Sequence, residues 1–220
     1  DASLVMLGDF QMLVDGGPSG DGVLACLAKH VPFWDKKIEM IVNSHPEKDH
    51  LAGLLEVGKR YEVGRYIDPQ NVENGDVLRY RNIEMDILWP KEKVSEKVLG
   101  ASTSVNKYAV VMELKYQGFK VLYTGDISSE EERYIEGGDV DVLKVAHHGS
   151  KFSTSKEWLE RLSPEIGVIS VGKNGYGHPT KVVLDNLQSE GVKMYRTDKD
   201  GEVEVVVNEK GGYQVRKARL

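Results

Sequence analysis

A chain of 220 residues carries 29 basic and 35 acidic side chains, a net charge of −6, and 40% of its residues are hydrophobic. That length suits one domain with a sizeable core, and disorder or a collagen-like repeat is excluded. No apolar run reaches the ~18 residues of a membrane span, the single cysteine (Cys26) excludes an internal disulfide or a cysteine-cluster zinc site, and the acidic balance argues against gripping a polyanion by bulk charge alone.

The chain opens at Asp1 inside what reads as a strand, so a domain cut from something longer is expected. Residues 3–6 and 10–14 flank Gly8-Asp9, a hairpin turn. Residues 22–30 read as a helix. Residues 40–43 form a short buried strand, broken abruptly by Ser44-His45-Pro46-Glu47-Lys48-Asp49-His50, and 51–57 is the helix that follows. Residues 64–67, 77–80 and 83–89 read as strands. The stretch 91–104 is polar and is expected to be a surface excursion. Residues 110–116 and 119–124 form a hairpin around Gln117-Gly118. Ser128 and Glu131 stand at capping-box spacing at a helix start. A strand at 142–146, a helix at 156–162, a strand at 166–171 and a helix at 182–189 follow. The end, 193–217, is strand-rich, with turns at Asp200-Gly201 and Gly211-Gly212. Hairpins mixed with strand–loop–helix units predict an α/β fold of two mixed sheets packed face to face with helices outside.

Five of the six histidines fall just past apolar strands: His45 and His50 after 40–43, His147 and His148 after 142–146, His178 after 166–171. Asp126 follows 119–124 in the same way. Loops at one edge of a sheet converge, which is where α/β proteins build sites. One such histidine alone would read as structural, as His30 does at a helix end. Five beside Asp and Gly do not read as packing. The sharpest signal is His45-x-Glu47-x-Asp49-His50, four ligand-type side chains within six residues. Imidazole with carboxylate suits zinc, manganese or iron. A helix dipole alone would account for Glu47 and Asp49 in a first turn, but not for two histidines there.

This pattern resembles the metallo-β-lactamase superfamily, whose signature is His-x-His-x-Asp-His after a strand. Leu13-Val14-Asp15-Gly16-Gly17 is similar to the family's early strand-and-glycine motif, and Thr124-Gly125-Asp126 to the motif carrying a bridging aspartate. Three stretches are similar to one branch, the C-terminal domain of ComEC, a membrane protein of DNA uptake in competent bacteria. They are Leu143-Lys144-Val145-Ala146-His147-His148-Gly149-Ser150-Lys151, Tyr176-Gly177-His178-Pro179 and Arg196-Thr197-Asp198. Asp1-Ala2 resembles the end of that branch's opening motif. The resemblance implies a four-layer αββα sandwich of two mixed sheets, a single domain over 1–220 of a bacterial cell-membrane protein, and two divalent metal ions. It assigns His45 and Glu47 to one ion, Asp49 and His50 to the second, Asp126 as the bridge, and His148 as a further ligand. His147 would orient a ligand or the phosphate. His178 would be either the last ligand or the acid that protonates the leaving oxygen. Two features depart from the pattern: Glu47 stands where the signature has its second His, and no His occurs between 50 and 147. The extra carboxylate shifts preference from zinc, the alternative ion, toward manganese.

Two ions ~3.5–4 Å apart can activate water in line with a phosphodiester and stabilise attacking and leaving oxygens. The expected reaction is therefore hydrolysis, with Asp49, His147 and His178 nearest the chemistry. Lys144, Lys151, Lys156, Lys173 and Lys181 gather around the motif loops of an acidic chain. Ser150, Lys151, Phe152 and Ser153 offer hydroxyls, a cation and an aromatic for a phosphate and a stacked base. The expectation is a metal-dependent nuclease acting on single-stranded DNA without tight sequence preference, beside the transmembrane part of its parent protein. One rival is a hydrolase of small esters, lactones or phosphodiesters using the same metal centre. Another, motivated by Glu47, is a non-catalytic DNA-binding or docking module.

Overall fold

A computed structural model describes residues 1–101 and 104–218. The chain divides into two compact units interleaved in sequence, Asp1–Val72 with Lys93–Val110 and Glu73–Glu92 with Val111–Leu220.

The first unit holds a four-stranded sheet, β1 (Ser3–Leu7), β2 (Phe10–Val14), β3 (Lys37–Val42) and β4 (Glu62–Ile67), in that order. The Gly8-Asp9 turn pairs β1 antiparallel with β2, and β2, β3 and β4 run parallel. Parallel neighbours need crossovers. Here they are the helices α1 (Gly20–His30) and α2 (Lys48–Val57). Both helices present apolar stripes: Val23, Leu27, Leu54 and Val57 bury against Leu13, Ile38 and Ile41. α2 begins before the expected residue 51, so Asp49 and His50 ride in its first turn. The polar stretch around 91–104 contains a short helix α3 (Glu96–Ala101) with no buried residue, as suits a surface excursion. Residues 102 and 103 of that stretch lie outside the described residues.

The second unit holds a seven-stranded sheet: β5 (Val77–Tyr80), β6 (Ile83–Trp89), β7 (Val111–Tyr116), β8 (Phe119–Tyr123), β9 (Val142–Lys144), β10 (Ile166–Ile169) and β11 (Lys193–Arg196). β5 to β8 form an antiparallel meander, and β8 to β11 run parallel. Its helices are α4 (Ser129–Glu132), α5 (Lys156–Leu162), α6 (Lys181–Ser189) and α7 (Thr197–Asp200), the last where only a turn was expected. Ser128 and Glu131 do form a capping box on α4. A terminal hairpin, β12 (Glu202–Val207) and β13 (Tyr213–Ala218), lays Val203, Val205, Val207, Tyr213 and Val215 on Phe119, Val142, Ile166 and Tyr195.

Both larger sheets are mixed, as the hairpins foretold. The register also decides which loops share an edge. Trp89 pairs with Val111, Met112 with Tyr123, Leu122 with Leu143 and Lys144 with Val168. The ends of β6, β8, β9 and β10 therefore lie on one edge of the sheet, together with the start of β7. Among the described residues, no helix is long and apolar enough to cross a membrane.

Candidate metal-binding groups

In the first unit, Asp15 follows β2 and Ser44-His45 follows β3, on the same edge of parallel strands. Asp15 is buried, with φ at 59°. Its carboxylate accepts the Ser44 backbone N–H (2.7 Å) and Ser44 hydroxyl (2.8 Å), and lies 2.8 Å from His50 Nδ1. Burial pushes this carboxyl up. The attraction and hydrogen bond of His50, then the Ser44 N–H and His45, outweigh burial and hold it below its ordinary value. An ionised acceptor at Nδ1 fixes the proton there, so the neutral His50 ring carries its lone pair on Nε2, the tautomer a metal ligand needs. His45 sits beside it, rings 4.2 Å apart, with Nδ1 3.0 Å from Ser44 Oγ. Both histidines are fully buried. Their Nε2 atoms each lie 3.9 Å from a carboxylate, Glu47 for His45 and Asp49 for His50. Two glycines make this possible. A Cβ on Gly53 would fall 1.8 Å from the Gly16 carbonyl oxygen, and one on Gly16 would fall 2.4 Å from the Leu54 nitrogen. Only bare backbones let the 15–17 turn lie directly on α2, where the Gly16 N–H reaches the His50 carbonyl (2.7 Å). The α-amino group of Asp1 also donates to the Asp49 carbonyl (2.8 Å).

In the second unit, Asp126 follows β8 and is buried. His148 Nε2 is 3.4 Å and His147 Nε2 3.9 Å from its Oδ2, while the Lys144 ammonium is 3.8 Å from its Oδ1. His148 Nδ1 donates to the Ser170 carbonyl (2.9 Å), which again puts the lone pair on Nε2. The backbone here is strained. His147 (φ 49°), His148 (φ 54°) and Gly149 (φ 82°) are left-handed in succession. Two successive non-glycine residues in that region are uncommon and persist only where the surrounding structure over-determines them. Gly149 has no alternative, since its Cβ would meet Pro179 Cβ at 2.5 Å. The Thr180 N–H donates to the Gly149 carbonyl (2.9 Å), tying this turn to the His178 loop. Asn174 clamps that loop, donating to the His178 carbonyl (2.9 Å) and accepting its N–H (3.1 Å). His178 stacks edge-on to His147 at 5.8 Å. Burial, then His147 and His148, hold its imidazole below the ordinary 6.5, against the pull of Asp126.

The residues expected to meet substrate divide. Lys151 and Phe152 are exposed, with the ammonium 4.9 Å from the ring centroid. Ser150 and Ser153 are buried. The Ser153 hydroxyl donates to the Ala146 and Ser150 carbonyls, both 3.0 Å, and Ser150 Oγ accepts the Phe152 N–H (3.4 Å). They brace the loop. Lys156 and Lys181 pair with Glu160 and Asp185 on their own helices. Lys144 is buried beside Asp126 and does not belong to a surface cluster. Sequence reasoning did not find the roles of Asp15, Ser44 and Lys144. For Asp15 and Ser44 the signal was their position at parallel strand ends.

A family model of the metallo-β-lactamase superfamily matches residues 1–173, and the chain belongs to that superfamily. It has the α/β metallo-β-lactamase fold expected from the sequence. Among solved structures it is similar to the metallo-β-lactamase fold protein YhfI from Bacillus subtilis, with a TM-score of 0.56 and 15% identity over 90% of this chain and 89% of that one. Among curated proteins it is 28% identical over 197 residues to ComE operon protein 3 of Bacillus subtilis (strain 168), covering 77% of this chain and 24% of that protein. It is likewise 28% identical to competence protein ComA of Neisseria gonorrhoeae, covering 84% and 27%. The chain spans about a quarter of the length of the curated relatives it matches.

Proposed function

We propose that this chain is a metal-dependent nuclease, hydrolysing phosphodiesters of single-stranded DNA as part of a membrane protein of DNA uptake. The observation that carries the metal is the pose of His50 and His148, each with Nδ1 tied to an oxygen acceptor and Nε2 turned toward a carboxylate. The competence names of the relatives support the DNA. His45, Glu47, Asp49 and His50 in one unit, and Asp126, His148 and His178 in the other, would hold two divalent ions. Manganese is favoured because Glu47 brings oxygen where the superfamily signature brings nitrogen. Such ions, when bound, would supply Lewis acidity and an activated water. Asp15 keeps His50 in its ligating tautomer, the Lys144 ammonium lies beside buried Asp126, and Lys151 receives a phosphate. His147, 3.9 Å from Asp126 and part exposed, orients ligand or phosphate.

Assaying single-stranded DNA, duplex DNA and small esters, with and without manganese, tests this reading. Cleavage of the single strand only with metal is expected. Hydrolysis of small esters or lactones without DNA cleavage would replace it with the small-substrate reading. DNA binding with no hydrolysis in any metal would replace it with the docking module.

A further inference from the structure

The edge of the seven-stranded sheet that carries Asp126, His147 and His148 also carries aromatic rings that the hydrolysis does not use. Trp89 ends β6. A β-bulge between Ile87 and Trp89 takes the indole out of the alternation that buries Ile83, Met85 and Ile87, leaving it half-buried. Bulges re-aim side chains in this way. The indole lies nearly parallel to the Tyr134 ring, 17° between planes and 6.4 Å between centroids, and Tyr134 is 56% exposed. The Lys91 ammonium sits 4.0 Å from the Tyr134 centroid and 5.7 Å from that of Trp89.

Past β9 on the same edge, Phe152 is 63% exposed with the Lys151 ammonium over it. The two clusters share one framework through α4. The Ser129 N–H donates to the Phe152 carbonyl (2.8 Å), the Ser155 N–H donates to the Glu132 carboxylate (3.0 Å), and Tyr134 follows directly.

Tyr134 and Phe152, both exposed, therefore each carry an ammonium, Lys91 and Lys151, in a chain whose net charge is −6. A π-face beside a cation complements one unpaired nucleotide, the base stacking and the phosphate meeting the ammonium. A duplex hides its base faces and cannot use the rings. Lys91 is exposed, so its ammonium can swing from ring to phosphate without disturbing the fold. We propose that Trp89, Lys91 and Tyr134 form a base-stacking platform for an unpaired nucleic-acid strand, with Lys151 and Phe152 as a second step along the same edge. This rests on the nuclease reading and names the residues by which the edge selects an unpaired strand.

The test titrates the whole chain, held in chelator so that nothing is cut, with a labelled oligothymidylate, an abasic strand of equal length and charge, and a duplex. Wild type should prefer the oligothymidylate. Tyr134→Ala and Trp89→Ala should each weaken it by roughly tenfold or more, as for other stacking rings. Both should leave the abasic strand unchanged, and Tyr134→Phe should restore binding. Tyr134 is exposed, so its variants keep the test valid even if Trp89→Ala unfolds. Equal losses for both strands, or no loss, would overturn the platform. Manganese-dependent cleavage of the same strand is measured separately. Cleavage that persists with binding indifferent to both rings removes the platform alone. Neither cleavage nor binding by wild type removes the nuclease reading and the platform together.

Discussion

In the first unit, His45 and His50 are fully buried, one in the short loop after β3 and one in the first turn of α2, with Asp15 and Ser44 fixing their rings. In the second, His147 and His148 are part exposed and stand in left-handed backbone held open by Gly149. One group is positioned by hydrogen bonds behind the rings and by glycines that let backbones touch. The other adds to one such bond, from His148 to the Ser170 carbonyl, a left-handed turn that the surrounding loop over-determines. The first arrangement suits permanent ligands. The second leaves its imidazoles partly accessible.

Removing a donor from either unit tests whether both groups matter. Asp49→Ala and Asp126→Asn should each cut DNA cleavage more than about 100-fold, beyond the 10–100-fold of outer-sphere changes, with circular dichroism unchanged. Wild-type cleavage by one of them would mean that its unit contributes no ligand.

Gly149→Ala attacks the strained group alone. The left-handed φ costs about 1–2 kcal/mol and the clash with Pro179 about 1–3 more. A clear fall in Tm and in activity is expected. An unchanged Tm would mean that the turn is not locked.

Asp15→Asn attacks the hydrogen-bonded group. Asn tolerates the positive φ but loses the charge that fixes His50, so metal affinity measured by titration should fall about 10–100-fold. The pH dependence has a definite sign. Because the folded Asp15 pKa is depressed, its stabilisation is present above the unfolded value of ~3.9 and is lost as pH falls through the folded value. Urea unfolding of metal-free protein should separate wild type from Asp15→Asn at neutral pH and bring them together in strong acid. A gap that survives in acid would contradict this.

Glu47→His changes metal choice rather than rate, moving the activation profile from manganese toward zinc. An identical profile would mean that Glu47 touches no metal. Smallest of all, Lys151→Ala should weaken DNA evenly across sequences and reduce the salt slope by about 0.7 on a single strand, the share of one phosphate. An unchanged slope would take Lys151 off the phosphate.

Much of this was legible in the sequence, for physical reasons that differ by residue. Gly8-Asp9 and Gln117-Gly118 announce hairpins because the turn geometry demands them. The loops proposed to hold metal announce themselves because His is a poor choice for a solvated loop. Lys144 was misread because β9 is buried at all three positions and so shows no alternation that would mark a lysine as inward. Ser150 and Ser153 are buried because the left-handed His147-His148-Gly149 turn folds the following chain back on itself, which no local propensity foretells. The bond from Asp15 to His50 spans 35 residues, and only the pairing of β2 with β3 brings it about. α2 begins earlier than expected because its first turn is polar and so hides the helical pattern, although those polar residues include the proposed donors Asp49 and His50.

The most direct test of the account is a single-turnover measurement on labelled single-stranded DNA, using chelated protein to which manganese is returned. The account predicts no cleavage without metal, recovery in wild type as manganese rises, and no recovery in Asp49→Ala or Asp126→Asn at any concentration. Cleavage by the metal-free wild type, or recovery of either variant to the wild-type rate, would contradict it.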